Sequence, residues 1–414
     1  MQISKINFFN IKNIFLLTFI FLFGNKLFAK NIFETEEQSN NFFADIFRQT
    51  PHFHRHTALD AVSPKIITVS QEILKQVQND GILVQNENKN HEALSQKANS
   101  ASNKQPLRLP LWQFRNADMQ RYMLAGGTPL IETKIKPVPF AIFSTALVGA
   151  FIVQHEMQMN TIWQNQTAFK FQDDALEELW LDKFGHFYGV YANSYLFREI
   201  LLATGFGWNA ANNWGAILGT LYSGYVEVLD GFGEQWGFSP SDFLANCAGG
   251  LFFAAQNYFP ALQNITPKFH YIPSEWFGYQ SRQPHEIFID DYSSQAYFFS
   301  LNIHNMMPDS WSLKQYYPSW LELSIGYVMR NGLVLYQTNG IGVPCSECIS
   351  LKEGAWGSPR LVLALDYNMV KLLPDGGNTW NWFKQTLNLL KFPSPALEIG
   401  KVTRFYLMFP FKIL

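Results

Sequence analysis

The chain has 414 residues, room for roughly two or three domains, and a formal charge of −2, which excludes the strongly basic surface of a nucleic-acid binder. Charged residues make up 15% of it and aromatics 16%, with 38 Phe, whereas ordinary soluble proteins carry about 25% charged residues. Sparse charge with abundant aromatic rings predicts a protein that meets lipid; a dry aromatic core is the alternative.

At the amino terminus, Lys5 and Lys12 precede the apolar run of residues 14–24, followed by NKLFA. This is the order of a secretory signal peptide, and the run is too short for a comfortable membrane span. Cleavage is expected after Ala29, giving a signal peptide over residues 1–29; an uncleaved anchor is the alternative. No cysteine follows Ala29 directly, so lipid attachment there is not indicated.

Residues 30–106 read as a linker or insertion. The stretch NENKNHEALSQKANSASNKQ is polar and lacks apolar periodicity, so residues 34–105 are expected to be dispensable for folding. Within them IITVSQEILKQVQNDGI resembles translated copies of dispersed repeats found inside some bacterial genes. His52, His54 and His56 alternate and would share one side of an extended chain. Without folded context they read as solvated residues ahead of a metal site.

Residues 107–262 predict a helical core. An apolar helix over residues 138–154 is started by Pro137 and Pro139 and reads as buried or membrane-dipping. DDALEELWLDKFGHF gives an acidic start to the next helix. A helix near residues 208–229 carries Gly215 and Gly219, a spacing that allows close helix approach. Ser239 is a good N-cap, Pro240 a good first residue, and Asp242 takes the third helical position, close to a capping box. Cys247 reads as a buried core thiol.

Residues 263–414 change to strands. Leu321, Leu323, Ile325, Tyr327 and Met329 alternate with mostly small or polar residues. GLVLYQT follows a possible turn at Arg330–Asn331, and RLVLALDYNMV and RFYLMFPFKIL are further strand candidates. TWNWFKQTLNLLKF between them reads as an amphipathic helix stopped by Pro393. Cys345 and Cys348 in VPCSECIS predict a small loop disulfide in an oxidising compartment, since zinc would need a second ligand pair. The class is α+β: a core of about three to five helices with a small carboxyl-terminal antiparallel strand layer, too few strands for a complete outer-membrane barrel.

Three polar clusters sit on apolar helices. Asp182 and His186 lie at i and i+4 with Lys183 beside them, Glu227 and Asp230 at i and i+3, and Asp242 and Asn246 at i and i+4. Each pair shares one helix face. An unpaired charge on an apolar helix is costly, so the three faces are expected to meet in one polar centre. The donor set suits a divalent metal that activates water. Alternatively His186 is a general base and Lys183 holds an anionic phosphate. The structural reading pairs Lys183 with Glu227 or Asp230, bonds His186 across helices and uses Asp242 as a cap. No serine-nucleophile elbow, phosphate loop or zinc-protease helix motif is present. Arg198 and Glu199 are expected to meet a neighbouring helix as an ion pair. Asp290, Asp291 and Tyr292 line the same cleft or form an exposed turn.

The combination D-K-x-x-H, E-x-x-D-G-F and W-G-F-S-x-x-D-x-x-x-N-x-x-G resembles an uncharacterised family of exported bacterial proteins labelled predicted periplasmic lipoproteins. The likeness continues into DDYSSQAYFFSLN and YPSWLELSIGYVMRNG. The motif order is also similar to the VanZ-like membrane proteins, linked to glycopeptide-antibiotic resistance, at the motif positions only. The resemblance implies a helical, envelope-located core and brings no established reaction. The chain departs from the lipoprotein label in lacking the lipid-accepting cysteine. The reading is an exported, periplasmic, membrane-associated protein whose partner is membrane lipid or another envelope component. Its leading role is non-catalytic; the alternative is a metal-assisted or acid–base hydrolase of a lipid or cell-wall precursor.

Overall fold

A computed structural model describes residues 106–273, 276, 291–330, 349–350 and 356–411. The signal peptide, the triple histidine, the 34–105 segment, Asp290, the GLVLYQT strand and the Cys345–Cys348 pair lie outside the described residues. Residues 103–414 belong to one compact unit. The class is α+β, as the patterning predicts.

A two-stranded ribbon, β1 (Arg115–Asn116) and β2 (Met119–Gln120), precedes four long helices. These are α1 (Pro137–Met159), α2 (Leu181–Thr204), α3 (Trp208–Asp230) and α4 (Pro240–Tyr258). Helix α2 is central and packs on the other three. It ends in a Schellman motif: Gly205 takes φ 98°, its N–H reaches Leu202 O, and the Phe206 N–H reaches Leu201 O. Glycine meets that geometry without Cβ strain.

Glycines set the helix spacing. A Cβ on Gly215 or Gly219 would meet the backbone or hydroxyl of Ser194 on α2, so the predicted small-residue spacing is used inside the bundle. A Cβ on Gly249 of α4 would stand 2.2 Å from the Phe187 carbonyl oxygen. Gly249→Ala should therefore push α4 off α2 and destabilise the fold by about 1–3 kcal/mol. Thermal unfolding reads this directly; an unchanged midpoint would contradict the close approach.

Helix α1 corrects one expectation. It is 23 residues long, starts at Pro137 as predicted, and none of its residues is buried. By length and composition it is the one helix among the described residues able to cross a membrane. Only one side meets the bundle, through Phe140 on Phe206 at 6.2 Å and Phe151 on Tyr225 at 4.8 Å between ring centroids. Other apolar side chains, among them Val138, Ile142, Val153 and Met157, have no covering layer among the described residues.

The carboxyl-terminal layer holds β3 (Ile265–Tyr271), β4 (Gln295–Leu301), β5 (Leu321–Arg330), β6 (Ile349–Ser350), β7 (Trp356–Tyr367), β8 (Ala396–Ile399) and β9 (Arg404–Tyr406). The order is β3-β4-β5-β7-β8-β9, every pairing antiparallel, with β6 paired to β7. The predicted helix before Pro393 is α5 (Asn378–Leu387). The sheet meets α2 through aromatic contacts: Phe184 stacks on Tyr327, Phe187 meets Phe299, and Tyr188 stacks on Phe269.

The chain enters α2 through three consecutive left-handed residues, Glu178, Leu179 and Trp180, at φ 48°, 51° and 68°. Such conformations cost roughly 1–3 kcal/mol each and persist only where the surroundings hold them. Here Leu179 and Leu181 are buried against Met329, and the Tyr327 hydroxyl donates to Leu179 O at 2.6 Å. This anchored entry positions Asp182 and Lys183.

Candidate functional site

The first turns of α2 and α4 and the last turns of α3 bring the predicted clusters together. Lys183 Nζ lies 2.6 Å from Asp242 Oδ1, 3.0 Å from Asp182 Oδ2 and 3.0 Å from Asp174 Oδ1. His186 Nδ1 stands 3.3 Å from Glu227 Oε1 and 3.2 Å from Asn246 Oδ1. Its Nε2 is 3.5 Å from Asp182 Oδ1 and 3.7 Å from Asp242 Oδ2. Asn246 Nδ2 donates to Glu227 Oε1 at 3.4 Å. Glu227, Asp242 and Asn246 are buried; the His186 side chain keeps 25% exposure.

Two partner assignments are corrected. Lys183 pairs with Asp174, Asp182 and Asp242, not with Glu227 or Asp230, because it leaves α2 toward α4 and the preceding loop. Asp230 stands at the margin: its Oδ1 accepts from Trp163 Nε1 at 2.6 Å. The cap is also divided differently. Ser239 Oγ accepts from the Asp242 N–H at 3.1 Å, which leaves the Asp242 carboxylate for Lys183.

Sequence reasoning missed Asp174. It precedes α2 in a loop and so has no helical spacing to single it out. Ser239 and Ser241 donate to its Oδ1, tying the loop to the start of α4. The Tyr292 hydroxyl donates to Asp182 Oδ1 at 2.9 Å, which brings one of the 290–292 residues into the centre. Asp291 is buried instead of exposed and accepts from the Tyr271 hydroxyl.

Other expectations resolve simply. Arg198 pairs with its own neighbour Glu199 at 2.8 Å, because its guanidinium lies over Tyr195 and Phe253. Glu199 also accepts from Trp382 Nε1 at 2.9 Å. Cys247 is only partly buried, and that burial pushes its thiol up.

The charges hold one another. Burial works against an ionised His186, yet the adjoining Asp182 carboxylate, then Asp242 and Glu227, raise it to about 10. Burial likewise opposes Lys183, and its carboxylates outweigh that and raise it. Burial pushes Asp182 up, but His186 and Lys183 prevail and hold it well below the usual range. Burial raises Glu227 to about 8 and Asp230 to about 6. Asp242 is also raised by burial, with the Asp182 charge beside it.

Donor atoms of Asp182, His186 and Asp242 all lie within 4.8 Å of one another, a spacing that could hold a cation. One feature opposes it: the Lys183 ammonium already occupies the space between Asp182 and Asp242.

Residues 145–258 match the family described as "Predicted periplasmic lipoprotein (DUF2279)". The match covers α2, α3 and α4, the helices that carry the centre. In keeping with that description the protein is exported, periplasmic and membrane-associated. No curated protein and no solved structure matches the chain.

Proposed function

We propose that this envelope protein has a non-catalytic role and that its polar centre is a structural lock. The observation that carries this reading is Lys183, within 3.0 Å of carboxylates from the 174 loop, α2 and α4. His186 adds α3 through Glu227. One cation joins three segments and a second joins three helices. An ammonium so enclosed has little freedom to receive a substrate phosphate. Buried networks of this kind fix a single helix arrangement, because any other packing leaves a charge unpaired.

The alternative is a metal-assisted or acid–base hydrolase acting on a lipid or cell-wall precursor. One observation favours it: donor atoms of Asp182, His186 and Asp242 lie within 4.8 Å of one another. The likeness to VanZ-like membrane proteins rests on motif positions and names no reaction for either reading.

Calorimetric titration of the purified full chain with Zn²⁺, Mn²⁺ and Mg²⁺ at neutral pH separates the two. The lock predicts no saturable binding at the centre and an unfolding midpoint indifferent to chelator. Stoichiometric binding that Asp182→Asn abolishes, together with a rise in the midpoint, would establish the metal reading.

A further inference from the structure

The carboxyl-terminal sheet is apolar on both faces: Phe298, Val328, Val362, Ala396 and Tyr406 belong to a buried core on the inner one, and the outer one is apolar and partly bare. Along β5 the residues Glu322, Ser324, Gly326 and Val328 point inward and are buried, while Leu323 and Ile325 are 40% and 46% exposed. On β7 the pattern repeats: Val362, Ala364 and Asp366 are buried, and Leu361 and Leu363 face outward. On β8 Glu398 is buried and Leu397 is outward; on β9 Tyr406 is buried and Phe405 is 71% exposed. The register aligns Ile325 with Leu363, Leu363 with Leu397, and Leu397 with Phe405. The outward side chains therefore form a continuous apolar stripe across four strands.

Beside its apolar core the inward face carries buried charges. Lys268 is 3.0 Å from Glu322 and 3.3 Å from Asp366, and all three are enclosed. Glu398 meets Arg360 at 3.2 Å and Arg330 at 3.4 Å, equally enclosed. Lysine, glutamate, arginine and aspartate are the residues least often buried in water-soluble proteins. Apolar side chains on the outer face, with buried charges paired behind them, also occur on strands whose outer surface meets hydrocarbon.

We propose that the outward face of β5, β7, β8 and β9 is embedded among the acyl chains of a phospholipid bilayer. The bare part of this face on β5 is Leu321–Ile325, because Tyr327 and Met329 on the same face pack on α2 and its entry. Two further observations select lipid as the occupant. Trp320 and Tyr367 lie at the end where β5 begins and β7 finishes, and the segment leading into β5 carries the exposed Trp311 and Tyr316. Aromatic side chains collect in this way at the membrane–water boundary. Among the described residues a second apolar surface is uncovered on α1, including Val138, Ile142, Val153 and Met157. A single two-fold interface with another copy covers one self-complementary patch; a bilayer accounts for both.

The embedded face is independent of what the polar centre does. It is tested in the full chain with Cys247, Cys345 and Cys348 changed to serine and one new cysteine introduced at a time. Leu363→Cys and Leu397→Cys carry an environment-sensitive fluorophore, and Phe405→Cys is the fallback because its site is the most open. Asp309→Cys, at a side chain 96% exposed, is the control. The protein is reconstituted into phosphatidylethanolamine–phosphatidylglycerol vesicles with or without lipids bearing a quencher along the acyl chain. Blue-shifted emission at the sheet positions, quenched at least two-fold more than at Asp309→Cys, is the expected result. Equal quenching at all positions, or water-like emission at the sheet, would overturn the proposal. Blue-shifted emission without quenching would also overturn it, and would assign the face to a second copy or to another segment of this chain.

Discussion

Lys183→Ala is expected to lower the unfolding free energy by about 3–5 kcal/mol, the usual effect of removing one partner of a buried charge set. The lysine side chain is 13% exposed, and its loss would strand Asp174, Asp182 and Asp242 together. Mutual repulsion among three carboxylates adds to the desolvation they already bear. Lys136→Ala is a suitable comparison, because Lys136 is exposed before α1 and such changes move stability by less than about 0.5 kcal/mol. Denaturant unfolding followed by tryptophan fluorescence gives both values. Lys183→Arg should restore part of the loss by keeping the charge. A Lys183→Ala effect below about 1 kcal/mol would sink the lock, since a dispensable cation cannot be what holds the helices.

The second large effect is on pH. His186 is raised from 6.5 to about 10 in the fold. A group with a higher folded than unfolded value binds its proton more tightly when folded. Its contribution is therefore complete below pH 6.5 and disappears as pH climbs toward 10. Glu227, raised from 4.5 to about 8, works in the same sense over a lower window, because its ionisation is opposed by burial. Asp182 acts oppositely: its folded value is depressed, so its contribution is present above about 3.8 and lost in acid. Stability should consequently be greatest on the mildly acidic side and fall from pH 6.5 to 10. A tenfold difference in proton affinity between the folded and unfolded chain is worth about 1.4 kcal/mol, so a decline of roughly 2–4 kcal/mol across that window is expected after allowing for the mutual influence of these groups. Unfolding free energies measured at several pH values test this. His186→Gln should flatten the curve over the same window; a variant with the parent slope would exclude His186 as its source.

The polar centre was largely legible because helical period is a local property. Asp182 with His186, Glu227 with Asp230, and Asp242 with Asn246 share faces by spacing alone, and the cost of unpaired charge brings those faces together. Ser239 and Pro240 started α4 as expected, and Pro137 started α1. Partner choice was not legible. Whether Lys183 meets Glu227 or Asp242 depends on how far each helix turns about its axis when packed, which no residue spacing records. Asp174 was invisible as a member for a related reason: it sits in a loop with no period to betray it. Tyr292 was read as lining the cleft or as part of an exposed turn, and only the packing chose between the two.

The same division holds for the two apolar surfaces. Alternation in β5 and β7 establishes that each strand has two unlike faces, and the run in α1 establishes an apolar helix. Neither says which side a neighbour covers. Only the packing shows that Glu322, Asp366 and Glu398 turn inward to Lys268, Arg360 and Arg330 while Leu323, Leu363 and Phe405 turn outward. Residue order thus determined the elements, their caps and the pairing of charges along each helix, because backbone geometry repeats every few residues. The tertiary structure alone decided which charges meet and which apolar faces stay bare, because those depend on contacts between residues far apart in the chain, such as His186 with Asn246, 60 positions away, or Tyr188 with Leu389, 201 positions away.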